Sequence, residues 1–212
     1  DVNKQEIKRR FAIAHQAFQQ HKRLIYRNKN LSWQVRCDIF NTLIMSKLLY
    51  GFESWTFPTV QSRLQIHNGV MRLYKRLLGA PHDAHLSDLD ILVQTNMPDP
   101  TELLRRARLR YFGTLHNCRS HAHWGLLQED TAWLDLVRDD LQWLWHQVGD
   151  SARLADPAQH FMQWRDILVH HGVYWKKLIR RGIQHACLQR KKEFYAIDLH
   201  SRIGQMEEHT SE

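Results

Sequence analysis

The chain has 212 residues, 43% of them apolar and 25% charged, a balance suited to one large or two small folded domains and not to a disordered or disulfide-framed chain. Nine Gly and five Pro are too few for an all-β architecture of many tight turns, and no run approaches the roughly 18 apolar residues of a membrane span. Thirty basic against 22 acidic residues leave a formal charge of +8, which favours an anionic partner, nucleic acid ahead of an acidic membrane surface. Cys37, Cys118 and Cys187 are far apart and form no CxxC pair, so a reducing, intracellular setting is expected. The opening DVNKQEIKRRF has neither a methionine nor the apolar stretch of a secretory signal, and reads as the start of an excerpt or a processed product.

Taken in chain order, the elements are helices. Residues 4–26 place Ile7, Phe11, Ala14, Phe18 and Ile25 at intervals of three to four, with one slip near the end. Ser32 is placed to cap a helix reaching about Leu49, with Val35, Ile39, Phe40, Leu43, Ile44 and Leu48 on its inner face. A third helix follows Pro58 and stops at Gly79, with Leu64, Val70, Leu73, Leu77 and Leu78 inward. Ser87 opens a short helix through Leu92. Asp99-Pro100 supplies a cap and a first-turn proline for a helix with Leu103, Leu104, Leu109 and Phe112 inward and Arg105, Arg106, Arg108 and Arg110 around them.

The second half continues in the same manner. Trp133, Val137, Leu141, Leu144 and Val148 mark a helix that Gly149 is expected to end, and Asp156-Pro157 reads as another cap-plus-proline start, with Gly172 as its stop. The last helix, about 173–199, has Trp175, Leu178, Ile179, Ile183 and Cys187 inward and Lys176, Lys177, Arg180 and Arg181 outward. Gly182 inside it predicts a bend or a close approach. The expected class is all-α, with about seven to eight helices and no significant sheet.

Charge is distributed in blocks. Residues 1–30 carry eight basic and two acidic side chains, residues 61–80 carry Arg63, Arg72, Lys75 and Arg76 with no acid, and residues 176–192 carry seven basic groups with no acid. Residues 101–125 hold five Arg against Glu102, whereas residues 126–150 hold six acids against Arg138. Basic blocks on separate helices form an anion-binding surface if the fold brings them together.

Leu48-Leu49-Tyr50-Gly51-Phe52-Glu53-Ser54-Trp55-Thr56 resembles the LLYGxExWT signature of non-LTR (LINE-type) retrotransposon reverse transcriptases, which lies in the helical thumb just past the polymerase palm. The surroundings follow the same order: Ile7, Arg10 and Phe18 upstream; Leu31-Ser32 before a helix with Arg36 and Phe40; then Met71-Arg72 and Leu77-Leu78-Gly79. Arg106-Ala107-Arg108-Leu109-Arg110-Tyr111-Phe112-Gly113 is similar to the family's R-x-R-L-R-W-x-G-H helix, with Tyr111 in place of the Trp and Thr114 in place of the His. The resemblance covers roughly residues 1–120, which implies a thumb-like region there and a helical extension with a basic last helix over 121–212. Read from its residues alone, the signature is a packed corner in which Tyr50 and Trp55 bury their rings and Gly51 serves a helix end.

A polymerase palm needs paired carboxylates for two metal ions, and the only Asp-Asp pair, Asp139-Asp140, falls on the polar side of a helix pattern and is expected to be solvated. No Gly-rich phosphate loop, GxSxG or HExxH is present, so no catalytic centre and no cofactor are expected in this chain, and RNA-directed DNA polymerase activity would belong to a longer polypeptide. His116, Cys118, His121 and His123 offer zinc-type donors, but without the distant second pair of a structural site they read as a His-rich helix end. Trp143 and Trp145 cannot both share the inner face with Trp133, which makes one of them a marker of an interface.

The resemblance and the charge pattern lead to one reading: a thumb and post-thumb region that holds an RNA or RNA/DNA template–primer duplex through its phosphates. The expected contacts are Arg9, Arg10, Lys22, Arg23, Arg72, Lys75, Arg76, Arg105, Arg106, Lys176, Lys177, Arg180 and Arg181. The alternative is a non-catalytic structural subunit that reuses this helical fold beside other protein subunits, suggested by the missing palm and by the Trp-rich acidic stretch 126–150.

Overall fold

The computed structural model describes residues 2–52, 60–81, 85–117 and 131–209, and among these it contains helices and turns but no strand. The chain is all-α. Helix α1 spans Val2–His21 and runs into a π-helical turn, Lys22–Tyr26. That turn explains the slip in the apolar pattern. A π turn takes up one extra residue, so the inward position one heptad after Phe18 passes from Ile25 to Tyr26. Tyr26 is buried and its ring stacks on Phe18 at 4.6 Å, while Ile25 is only half-buried.

Ser32 caps α2 (Trp33–Phe40), its hydroxyl accepting from the Val35 amide at 3.3 Å. A second π-helical segment, Asn41–Met45, joins α2 to α3 (Ser46–Leu49). Phe40, Ile44 and Leu48 are fully buried as expected, but Val35 is exposed, because Cys37 takes the core position on the first turns. Helix α4 (Val60–Leu78) buries Ile66, Val70, Leu73, Tyr74 and Leu77. Leu64, expected inward, is 55% exposed: six residues before Val70 is off the helical repeat, and Ile66, four before it, fills the site. Gly79 ends α4 at φ 81°, with the Arg27 guanidinium lying where a β-carbon would stand.

Helix α5 (Asp88–Thr95) starts with a capping box: the Ser87 hydroxyl accepts from the Asp90 amide and the Asp90 carboxylate accepts from the Ser87 amide. It runs one turn beyond the expected Leu92, to the left-handed Asn96. Helix α6 (Pro100–Asn117) is capped by Asp99, which accepts from the Thr101 amide at 2.7 Å, while Glu102 reaches back to the Asp99 amide at 2.9 Å.

Two apolar cores meet along α6. The first gathers α1 to α5 around Phe18, Tyr26, Phe40, Leu73 and Tyr74 and takes Leu103 and Leu104 from the start of α6. The second takes Leu109, Phe112 and Leu115 from the rest of α6 and adds α7 (Thr131–Ala152), α8 (Phe161–His170) and α9 (Gly172–His209) around Trp133, Trp164 and Trp175.

Three glycine or proline signals act differently from expectation in this second half. Gly149 does not end α7, which continues to Ala152 and stops at the left-handed Arg153; a β-carbon at Gly149 would lie 2.5 Å from the Trp145 indole. Asp156-Pro157 forms a turn, with the Asp156 carboxylate accepting from the Ala158 amide at 2.8 Å, and α8 begins only at Phe161. Gly172 opens α9, after His171 has closed α8. Gly182 is a close approach, its absent β-carbon leaving room for the Leu144 side chain 2.7 Å away.

Candidate nucleic-acid interface

Along α1, Ile7, Phe11, Ala14 and Phe18 define the buried stripe, and one flank of that stripe carries Lys8, His15 and Lys22, seven residues apart. Helix α4 packs against this flank. Phe11 rests on Gly69, His15 meets Arg76, and Arg27 meets the α4 end at Gly79, so contacts advance in the same direction along both helices. Arg72 and Arg76, one turn apart, stand on the exposed edge of α4 that faces α1.

The chemistry of this seam is one-sided. Arg76 Nη1 donates to His15 Nδ1 at 2.9 Å, and because a guanidinium can only donate, that imidazole nitrogen is an acceptor and the ring is neutral. Partial burial first, then Arg76 and Arg72, hold the His15 pKa below the ordinary histidine value. No carboxylate is among the charges that act on it. Arg72 Nε donates to the Asn68 carbonyl at 3.1 Å, which orients its guanidinium along the helix. Of the expected contacts, the structure brings Arg72 and Arg76 together here, around His15. His15 was not among them; Lys8 and Lys22 stand seven residues to either side of it along α1.

The other expected contacts are distributed elsewhere. Arg9 and Arg10 both pair with Glu6, at 3.3 and 2.6 Å, and the Arg10 hydrogen bond holds the Glu6 carboxyl below the usual range. The Arg10 guanidinium also sits 5.2 Å over the Tyr50 ring, packing α1 against the turn that carries the LLYG residues. Tyr50 itself is 72% exposed, so it lies on the surface under Arg10 and not in the core; Gly51 has φ 79°, and Glu53, Ser54, Trp55 and Thr56 lie outside the described residues. Arg23 is exposed on the outer side of the π turn, and Lys75 and Arg72 line a shallow groove with Asp88 between α4 and α5.

Arg105 and Arg106 are half-buried. Arg105 lies 5.1 Å over the Trp143 ring and 3.6 Å from Asp140, and Arg106 is packed by Tyr74; burial lowers the pKa of both. Arg108 is buried in a bidentate pair with Asp140, at 2.6 and 2.8 Å. The expectation of a solvated Asp139-Asp140 pair therefore holds for one member only. Asp139 is exposed, whereas Asp140 is 1% exposed and its pKa is raised by burial, against the pull of Arg108. Helix periodicity puts residue 140 on the α6-facing side of α7, where the long arm of Arg108 makes a charge tolerable.

On α9, Lys176, Lys177, Arg180 and Arg181 are all exposed on the outer face, with no ion pair among the described residues. Farther along the same helix Arg190 pairs with Glu102, Nη2 to Oε2 at 2.9 Å, tying α9 back to the α6 cap. Of the two tryptophans weighed as interface markers, Trp143 lies under the Arg105 guanidinium and Trp145 donates to the Leu154 carbonyl at 2.9 Å. His116 contacts the Phe112 carbonyl through Nδ1 at 3.1 Å, while Cys118, His121 and His123 lie outside the described residues, among which no cluster of three metal donors occurs. No described helix is long and apolar enough to cross a membrane.

No family model matches the chain, and no solved structure matches it. Over 143 residues, 64% of its length, the chain is 26% identical to an uncharacterized transposon-derived protein of Caenorhabditis elegans. The matched stretch is 43% of that protein, so the chain spans less than half the length of the curated relative it resembles.

Proposed function

We propose that this chain is the thumb and post-thumb region of a non-LTR reverse transcriptase, or of a protein derived from one, and that it positions a template–primer duplex through phosphate contacts without a polymerase centre of its own. The observation that carries this reading is the α1/α4 seam, where Arg72 and Arg76 of one helix meet His15 of the other and no carboxylate acts on His15. Phosphate oxygens supply the missing negative charge, and neutralising them releases counterions, which drives association without reading base sequence. The ordered thumb-like motifs and the likeness to a transposon-derived protein support the same reading. Lys176, Lys177, Arg180 and Arg181 form a second set of phosphate contacts on α9.

The test is the salt dependence of binding to an RNA–DNA hybrid duplex, followed by fluorescence anisotropy. Affinity is expected to fall linearly on a log–log plot, and replacing Lys22, Arg72 and Arg76 with Ala should flatten the slope by about 0.9 for each phosphate no longer neutralised. The α9 quadruple Ala variant should weaken all sequences about equally. A parent slope near zero, or slopes unchanged in both variants, would reject the reading and favour a structural subunit.

A further inference from the structure

Within that proposed interface, the pairing of Arg76 with His15 poses a separate chemical question. An arginine that donates to a histidine nitrogen makes a hydrogen bond only while the imidazole is neutral, since protonation turns the acceptor into a second donor. The charged groups that act on His15 are Arg76 and Arg72 of α4, and neither is acidic; the nearest charges on its own flank of α1 are Lys8 and Lys22, one heptad away on either side. The ring of Phe11 closes the inner side, its centroid 6.4 Å from that of His15. The imidazole thus stands half-buried beside two arginines, and both charges that act on it oppose its protonation.

We infer that His15, Arg72 and Arg76 form a proton-linked phosphate site, in which a backbone phosphodiester of the bound duplex enters between Arg76 and His15 and His15 takes up a proton as it binds. The inference rests on the seam being a duplex-binding surface. A phosphodiester carries one negative charge at any pH above its own low pKa, so the proton comes from solvent and settles on the imidazole, converting Nδ1 from acceptor of Arg76 to donor toward a phosphate oxygen. Arg76 then turns its freed N–H to the same phosphate. Linkage makes the effect reciprocal: if phosphate favours protonated His15, protons favour phosphate binding. In the free protein His15 is neutral near pH 7, and the bound anion reverses the local field that keeps it so.

The experiment is anisotropy titration of a labelled RNA–DNA hybrid of about 20 base pairs at fixed ionic strength, from about pH 8 to 5.5, with parent, His15→Gln and His15→Lys proteins, each checked for unchanged helical circular dichroism at each pH. The glutamine of the first variant can accept from Arg76 but cannot titrate, and the lysine of the second is charged throughout. The parent should bind more tightly as pH falls through the histidine range, by up to about tenfold per pH unit for one proton taken up. His15→Gln should remove that part of the pH response, and His15→Lys should bind at pH 8 nearly as the parent does at low pH. The same pH profile in parent and His15→Gln would overturn the proton linkage while leaving the duplex reading intact, whereas absence of duplex binding at every pH would overturn that reading itself. If the His15-dependent response appears with inorganic tripolyphosphate but not with duplex, the assignment to backbone phosphate falls.

Discussion

The two cores are built from the same helical repeat but from different rings. In the first, Phe18 and Tyr26 stack, both meet Phe40 edge to face, and Tyr74 lies tilted against Phe40, at centroid distances of 4.6 to 6.3 Å, and the chain contains two π-helical segments. In the second, the large rings are indoles, and each must find room for its bulk and a partner for its N–H. Trp175 lies where a β-carbon of Gly113 would be, 2.5 Å away, and donates to the Leu109 carbonyl; Trp164 donates to the Ala155 carbonyl, and Trp145 covers Gly149. The first core bends its backbone around its side chains and leaves out one β-carbon, at Gly69 under Phe11, whereas the second keeps regular α-helices and admits its side chains at Gly113, Gly149 and Gly182. Gly69, Gly113, Gly149 and Gly182 inside helices are therefore packing residues, although the same letter ends a helix at Gly79.

The largest effect should come from the joint between the two regions. Asp140→Ala leaves Arg108 buried without its bidentate partner, and the expected loss is about 3–5 kcal/mol in a denaturant melt. If the two cores unfold separately, that variant should also split the transition, which a second probe on either core would detect.

A smaller loss, about 1–3 kcal/mol, is expected for Gly113→Val, because the Trp175 indole is held by its hydrogen bond and cannot retreat. Gly149→Ala tests the same rule at the edge of the second core. If that glycine serves Trp145, then Gly149→Ala made together with Trp145→Ala should cost less than the sum of the two single changes. Simple additivity would show that the residue has some other purpose.

The finest distinction is in the response to acid. Among the described residues each region holds one histidine whose pKa is lowered chiefly by burial, His15 in the first and His116 in the second. Their folded values lie below the ordinary value of about 6.5, so the unfolded chain takes up protons first as pH falls. Their contribution to stability is full above that pH and is lost as pH drops from it toward the folded values. Thermal melts at about pH 7.5 and 5.5 should show a smaller acid-induced drop in His15→Gln and in His116→Gln than in the parent, with the two reductions adding because the sites lie in different cores. A duplex bound at the seam should oppose the His15 part alone.

Much of this architecture is legible in the residues themselves. Apolar intervals of three to four place α1, α4, α6, α7 and α9, and Ser32, Ser87 and Asp99 mark starts that the capping hydrogen bonds bear out, because both signals depend on local helix geometry. The blocky charge and the outward Lys176, Lys177, Arg180 and Arg181 follow from the same local rule. What the tertiary structure decided is everything that depends on which helix lies next to which. It drew Arg105 and Arg106 partly out of solvent, buried Arg108 in its pair with Asp140, and replaced Ile25 by Tyr26 through a π turn. It also joined His15 to Arg76 across 61 positions of sequence, a pairing no periodicity contains, because the sign and company of a charge are set by the neighbouring helix and not by its own.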